Sequence, residues 1–235
     1  MNDLPKRNSN DAPDMTTFLA SCVHDMKNSV SLLISGLEKT LDTASPETLE
    51  TYGELSQMTY EAKRINHNLV QLLTLYKLDQ QIYPFDPQYI AVDEFLHGVA
   101  DQAARLLRTQ GVELELDVAP DLYWHFDEDL ITGVIGNAFS NAIRYTNHRV
   151  RLAASVADGC LEIRIEDDGR GYTQQMIDHT EGAKRGVSFQ TGSTGLGLYF
   201  SVKVAHLHRN RGRSGDIRLD NGGAYGGGCF IIRLP

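Results

Sequence analysis

Asn137 and Asn141 stand four residues apart in LITGVIGNAFSNAIRYT, so on a helix both amides project from one face toward one point. A solvated helix face carries such pairs too. An asparagine carbonyl is also a hard oxygen, and a divalent ion that keeps several waters on a triphosphate needs only one such protein ligand. Asp167 ends the apolar run IRIED ahead of Gly169 and Gly171, where the backbone lets a ligand come close. A buried carboxylate there accepts from an exocyclic amine, a bond of about 1.5–3 kcal/mol, enough to select adenine over guanine. TGSTGLGL opens a third segment, and its glycines precede a helix whose free N–H groups attract phosphate. The more glycine-rich NGGAYGGGCF lies between two strands with no helix after it, which assigns it to a hairpin turn. The three clusters together imply a nucleotide site.

Far upstream, HDMKN sets His24 beside Asp25 and one helical turn before Asn28. A neutral imidazole is a nucleophile near neutral pH, and Asp25 can hold the proton of one ring nitrogen so that the other attacks. A single histidine on a helix is ordinarily a solvated or capping residue. A nucleotide site in the same chain gives this one a different meaning, as a phosphate acceptor facing a phosphate source.

These groups need two kinds of scaffold. Val23, Met26, Val30, Leu33 and Leu37 alternate spacings of three and four, which predicts an amphipathic helix from about Asp14 to Leu41 with His24 on the flank of its seam. Ser45 and Pro46 mark the start of a second helix. Leu55, Met58, Ala62, Ile65, Leu69, Leu72 and Tyr76 then hold the same seam to about Leu78. Two such helices form a hairpin with a thin core, so dimerisation into a four-helix bundle is expected. YPFDPQYI breaks the pattern. Beyond it helices are predicted over 92–108, 129–145 and 195–207, with strands over 112–118, 123–126, 150–156, 161–166, 216–219 and 229–234. Asp158-Gly159 makes a hairpin turn between two of these strands. The fold class is α+β: a helical hairpin at 14–80 forming a dimeric bundle, a linker at 81–90, and at 91–235 an α/β sandwich whose mixed, mainly antiparallel sheet has helices on one face. Residues 1–13 have little to bury and read as a disordered leader.

The chain has 235 residues, 41% apolar and 23% charged, the composition of a globular protein. A formal charge of −9 disfavours a nucleic-acid surface. Cys22, Cys160 and Cys229 are odd in number and scattered, which argues against a disulfide framework or a metal knuckle and fits a reducing cytoplasm. No secretory signal or membrane-spanning run is evident, so cytoplasmic localisation without direct membrane insertion is expected.

The order and wording of the clusters over residues 15–235 resemble the sensor histidine kinases, a branch of the ATPase superfamily shared with gyrase, mismatch-repair ATPases and a heat-shock chaperone. NAFSNAIRYT is similar to the N box, EDDGRGY to the first glycine box, STGLGLYFSV to the second, FIIRLP to the closing strand and HDMKN to the H box. The resemblance implies ATP and Mg2+ as ligands, with Asn141 on the metal, Asn137 supporting ion and phosphates, and Asp167 on adenine. Gly195 and Gly197 would shape the hinge of a lid formed by 172–194, where Lys184 and Arg185 could add contacts. Arg144, Tyr145, Gly169, Gly171, Gly192, Thr194 and Leu196 complete the nucleotide-binding set. His24 would be the acceptor, Asp25 would assist phosphorylation, and Asn28 would help position water for dephosphorylating a response regulator.

The sequence departs from the family pattern at two positions. Arg144 replaces a usual lysine, keeping the charge with a planar geometry. Ser29 replaces a usual proline, which predicts a helix that continues without a bend and a balance shifted from autokinase toward phosphatase or relay activity. The expected function is a dimeric histidine kinase that phosphorylates His24 from ATP and passes the group to a receiver aspartate. With no sensing domain ahead of the hairpin, control would come in trans from a sensor or docking protein. A phosphorelay hub without ATP use, and a non-kinase ATPase working as a clamp, are the alternatives.

Overall fold

The computed structural model describes residues 15–43, 49–182 and 196–235. The leader at 1–13, together with Lys184, Arg185, Gly192, Thr194 and Gly195, lies outside them. The chain divides between Tyr83 and Pro84 into two compact units.

The first unit is a hairpin of α1 (Met15–Thr43) and α2 (Leu49–Asp79). Lys63 reaches Glu38 across it at 2.6 Å, and Ser31 Oγ donates to Asn66 Oδ1 at 3.4 Å. The predicted seam is divided lengthwise. Val23, Val30, Leu37, Leu55, Ala62, Leu69 and Tyr76 are half-buried, whereas the alternate members Met26, Leu33, Met58, Ile65 and Leu72 are exposed. A pair of helices has room to cover one edge of a heptad stripe and leaves the other in water. α1 runs through Ser29 as unbroken α-helix, and the Ser29 hydroxyl donates to the Asp25 carbonyl at 3.0 Å. α2 ends where Gln81 takes a left-handed φ of 57° and the N–H groups of Gln81 and Ile82 return to Leu78 and Lys77.

The second unit is a two-layer sandwich. Its central sheet has the order β2 (Glu113–Val118), β4 (Arg149–Ala157), β5 (Cys160–Asp167), β9 (Gly228–Leu234), β8 (Asp216–Asn221), with β2–β4 parallel and the other pairs antiparallel. Asp158 and Gly159, both at positive φ, make the tight β4–β5 turn. α3 (Val92–Gln110), α4 (Glu128–Tyr145) and α6 (Leu196–Leu207) bury Leu96, Ile131, Val134, Ile135 and Val204 against the apolar side of the sheet, where Leu152, Ile163, Ile165 and Ile232 are fully covered. The period of two places an ionic row on the other side: Glu115, Arg151, Glu166, Cys229 and Asp220 are successive partners across all five strands.

Several elements differ from expectation. Residues 88–90, expected as linker, belong to β1 (Gln88–Ala91), which pairs with β3 (Tyr123–Phe126) in a separate ribbon. The prolines at 84 and 87 conceal so short a strand. β3 is therefore not in the central sheet. A small hairpin of β6 (Arg209–Asn210) and β7 (Arg213–Ser214) follows α6, and α5 (Gln174–Gly182) occupies the start of the stretch expected to be lid. Among the described helices none is long and apolar enough to cross a membrane.

Buried His208 ties together the segments that carry the site. Its Nδ1 donates to the Val204 carbonyl at 2.8 Å and its Nε2 accepts from the Asp127 N–H at 3.0 Å, which defines one neutral tautomer. Burial lowers its pKa. Asp127 in turn caps α4 by accepting from the Leu130 N–H at 3.0 Å, and its other oxygen accepts from the Asp86 N–H at 3.1 Å.

Candidate active site

His24 lies on α1 with its side chain 59% exposed. Asp25 Oδ1 stands 3.5 Å and Asn28 Nδ2 3.4 Å from the same ring atom, Nδ1. Both neighbours therefore address one nitrogen, and Nε2 has no partner among the described residues. The two contacts demand different tautomers: Asp25 accepts from a protonated Nδ1, which leaves the Nε2 lone pair free to attack, whereas a donating Asn28 amide needs Nδ1 bare.

In the second unit the nucleotide-box residues converge where α4, α6 and the end of β5 meet. Asp167, the last residue of β5, is only 6% exposed. Its Oδ1 accepts from the Gly169 N–H at 2.8 Å and the Gly228 N–H at 3.1 Å, while Oδ2 has no partner among the described residues. One oxygen is thus fixed by backbone and the other remains an open acceptor. Gly169 and Gly197 are dictated by close approach. A Cβ on Gly169 would lie 2.1 Å from the Tyr145 carbonyl oxygen, and one on Gly197 would lie 2.2 Å from Asn137 Nδ2. Leu196 opens α6 beside it. Asn141 is exposed one turn after Asn137, and no described group bonds to its side chain. Gly171, at φ 74°, packs against Asn221. The Tyr145 ring has the Arg144 guanidinium 5.7 Å from its centroid and that of Arg170 at 5.1 Å, two cations at the C-terminal end of α4.

Some contributors have no counterpart in the sequence reading. Asp168 turns away from Asp167 and accepts from the Thr146 hydroxyl at 2.5 Å and from the N–H groups of Asn147, His148 and Arg149 at 2.8, 3.0 and 3.2 Å. These bonds hold its carboxyl well below the usual range even though burial pushes the other way. The effect is to lock the segment after α4 to the segment after β5, so that the asparagine helix and Asp167 keep a fixed separation. The turn NGGAYGGGCF is the β8–β9 hairpin expected, yet its end also walls the site: the Gly227 N–H donates to the Asp167 carbonyl at 3.0 Å, and a Cβ on Gly228 would lie 2.8 Å from Asp167 Oδ2. Tyr172 and Asn221, joined by two hydrogen bonds at 2.7 and 2.9 Å, anchor the beginning of the expected lid to β8.

Residues 126–235 match the family described as histidine kinase-, DNA gyrase B- and HSP90-like ATPases. The phosphate regulon sensor protein PhoR of Pseudomonas aeruginosa is 28% identical over 200 residues, covering 83% of this chain and 45% of its own length. Sensor protein SrrB of Staphylococcus aureus is 25% identical over 224 residues, covering 93% of this chain and 37% of its own. The chain thus spans less than half the length of these curated relatives. Among solved structures, the Acinetobacter baumannii histidine kinase AdeS superposes with a TM-score of 0.59 at 19% identity, over 90% of this chain and 96% of that one. Full-length ShkA in complex with AMPPNP gives 0.64 at 20%, over 92% and 45%. The candidate nucleotide site thus lies in a segment that matches this ATPase family, and the proteins similar to the chain through its hairpin as well include two sensor proteins and a solved histidine kinase.

Proposed function

We propose that the chain binds ATP with Mg2+, moves the γ-phosphoryl group to His24, and hands it on to an aspartate of a response regulator receiver domain. The observation that carries this reading is the asymmetric Asp167 carboxylate, one oxygen held by Gly169 and Gly228 and the other open in a nearly buried setting, which suits an exocyclic amine. Asn141 would hold Mg2+ through its free carbonyl, and the ion when bound neutralises phosphate charge. Asn137, Arg144 and Tyr145 would face the phosphates. In the transfer, the Nε2 lone pair of His24 forms a bond to the γ-phosphorus as the bond to the bridging oxygen breaks, leaving ADP. Asp25 keeps the Nδ1 proton and offsets the positive charge that the ring acquires. Asn28 is suited to the reverse duty, orienting water during receiver dephosphorylation.

A homodimer is part of the proposal. The exposed stripe Met26, Leu33, Met58, Ile65 and Leu72 is the half of the heptad seam that the hairpin leaves uncovered, and a second copy of it is the complementary surface. The test is incubation with γ-labelled ATP and Mg2+. The kinase reading expects acid-labile label on the protein, absent in His24→Ala. Released phosphate with unlabelled protein would favour a clamp ATPase, and no saturable binding of an ATP analogue would favour a relay hub.

A further inference from the structure

Tyr172 follows the Gly-x-Gly turn, and its backbone is clamped on both sides by the Asn221 amide. Its ring edge and the open Asp167 oxygen share one gap. A Cβ on Gly228 would lie 2.8 Å from Asp167 Oδ2 and 3.1 Å from Tyr172 Cε2, so only a glycine at 228 lets the two approach. The half-buried ring has a hydroxyl with no hydrogen-bond partner among the described residues. The hydroxyl is not among the buried unpaired atoms of the described residues, so it opens to water at the mouth of the gap, where a ligand atom can take that water's place.

We infer that Tyr172 is a specificity-determining residue of the nucleotide site, its hydroxyl donating to a ring nitrogen of the adenine base while Asp167 Oδ2 accepts from the exocyclic amine. This rests on the ATP-binding reading above and names a second group that recognises the base. Burial and the Asp167 charge push the phenol above its usual pKa, so it stays protonated and a donor throughout the physiological range. The donor–acceptor pair matches an adenine edge, where an amine sits beside a bare ring nitrogen. Guanine presents a carbonyl and a protonated nitrogen on that edge, so its carbonyl oxygen opposes Asp167 Oδ2, which can only accept, and the Tyr172 hydroxyl can no longer donate to the ring nitrogen.

The experiment is a calorimetric titration of the full chain with AMPPNP–Mg2+ and with the 1-deaza, 3-deaza and 7-deaza analogues of ATP, each of which lacks one ring nitrogen. Wild type and Tyr172→Phe are compared. Tyr172→Phe should melt within a few degrees of wild type, because the removed hydroxyl has no protein partner, and should bind AMPPNP three- to tenfold more weakly. The 1-deaza analogue should be weakened in wild type by a similar factor and no further in Tyr172→Phe, a non-additivity that a packing role would not produce. Equal affinity of the two proteins for AMPPNP, additive losses with all three analogues, or a large drop in melting temperature would overturn the inference. No binding of AMPPNP by the wild type would instead overturn the ATP-binding reading beneath it.

Discussion

Replacing Asp168 by asparagine tests whether the loop after α4 is held by charge. The substitution keeps the side-chain shape and one carbonyl oxygen but removes the anion that four donors address at 2.5–3.2 Å. The side chain is 21% exposed, so solvent screens it only partly. Hydrogen bonds to a charged group contribute about 1.5–3 kcal/mol each, and the remaining amide oxygen recovers a share of them as neutral bonds, so the second unit should lose about 2–3 kcal/mol at pH 7. Its carboxyl is depressed in the folded state, so the contribution is complete above the ordinary carboxylate range and disappears as pH falls from there toward the folded pKa. Urea unfolding followed by circular dichroism from pH 8 to pH 3 should show a constant gap between wild type and Asp168→Asn down to about pH 5, then a narrowing one. Equal stability at pH 7, or a gap that persists undiminished at pH 3, would show that the anion does not hold this junction.

Three further outcomes follow from the site geometry. Asp167→Ala should weaken AMPPNP binding by roughly tenfold or more, read by calorimetry, through loss of a charge-assisted bond. Gly197→Ala places a methyl 2.2 Å from Asn137 Nδ2 and so must displace that side chain; nucleotide affinity should fall while circular dichroism stays native, and unchanged affinity would remove Asn137 from the site. Asn28→Ala should spare phosphorylation of His24 but slow receiver dephosphorylation in a phosphate-release assay, and equal loss of both would end the division of roles between Asp25 and Asn28.

How much of this was legible depends on the range of the interaction. The Asp158-Gly159 turn, the α4 helix with its asparagine pair and the heptad stripe are local patterns, each contained in one continuous stretch of sequence. The heptad shows where apolar residues lie but not which neighbour covers them, so the exposure of Leu33 beside half-buried Val30 could not be read from spacing. Asp167 and Asp168 are adjacent and chemically identical. Only the strand end that turns them to opposite sides makes one an open acceptor and the other a clasp. The approach of Gly228 and Tyr172 to Asp167 depends on the pairing of β5 with β9 and on the Asn221 clamp, contacts across 49 residues or more that no local signal encodes. β1 was concealed because its flanking prolines outweigh a strand of four residues.

The glycine-rich connection between β8 and β9 faces both sides of the central sheet. On one side Gly227 and Gly228 grip Asp167. On the other, Tyr225 donates to Glu115 and Gly223 rests beside Glu166, which Arg151 holds at 2.8 Å and to which the Cys229 thiol donates at 3.6 Å. Substitutions on the charged rear surface, far from any ligand, therefore pull on the same short bend that sets the carboxylate in front. In a mutational survey scored by ligand affinity, weak hits at Arg151, Glu115 or Tyr225 would be transmitted effects of this bend and not evidence of a second pocket.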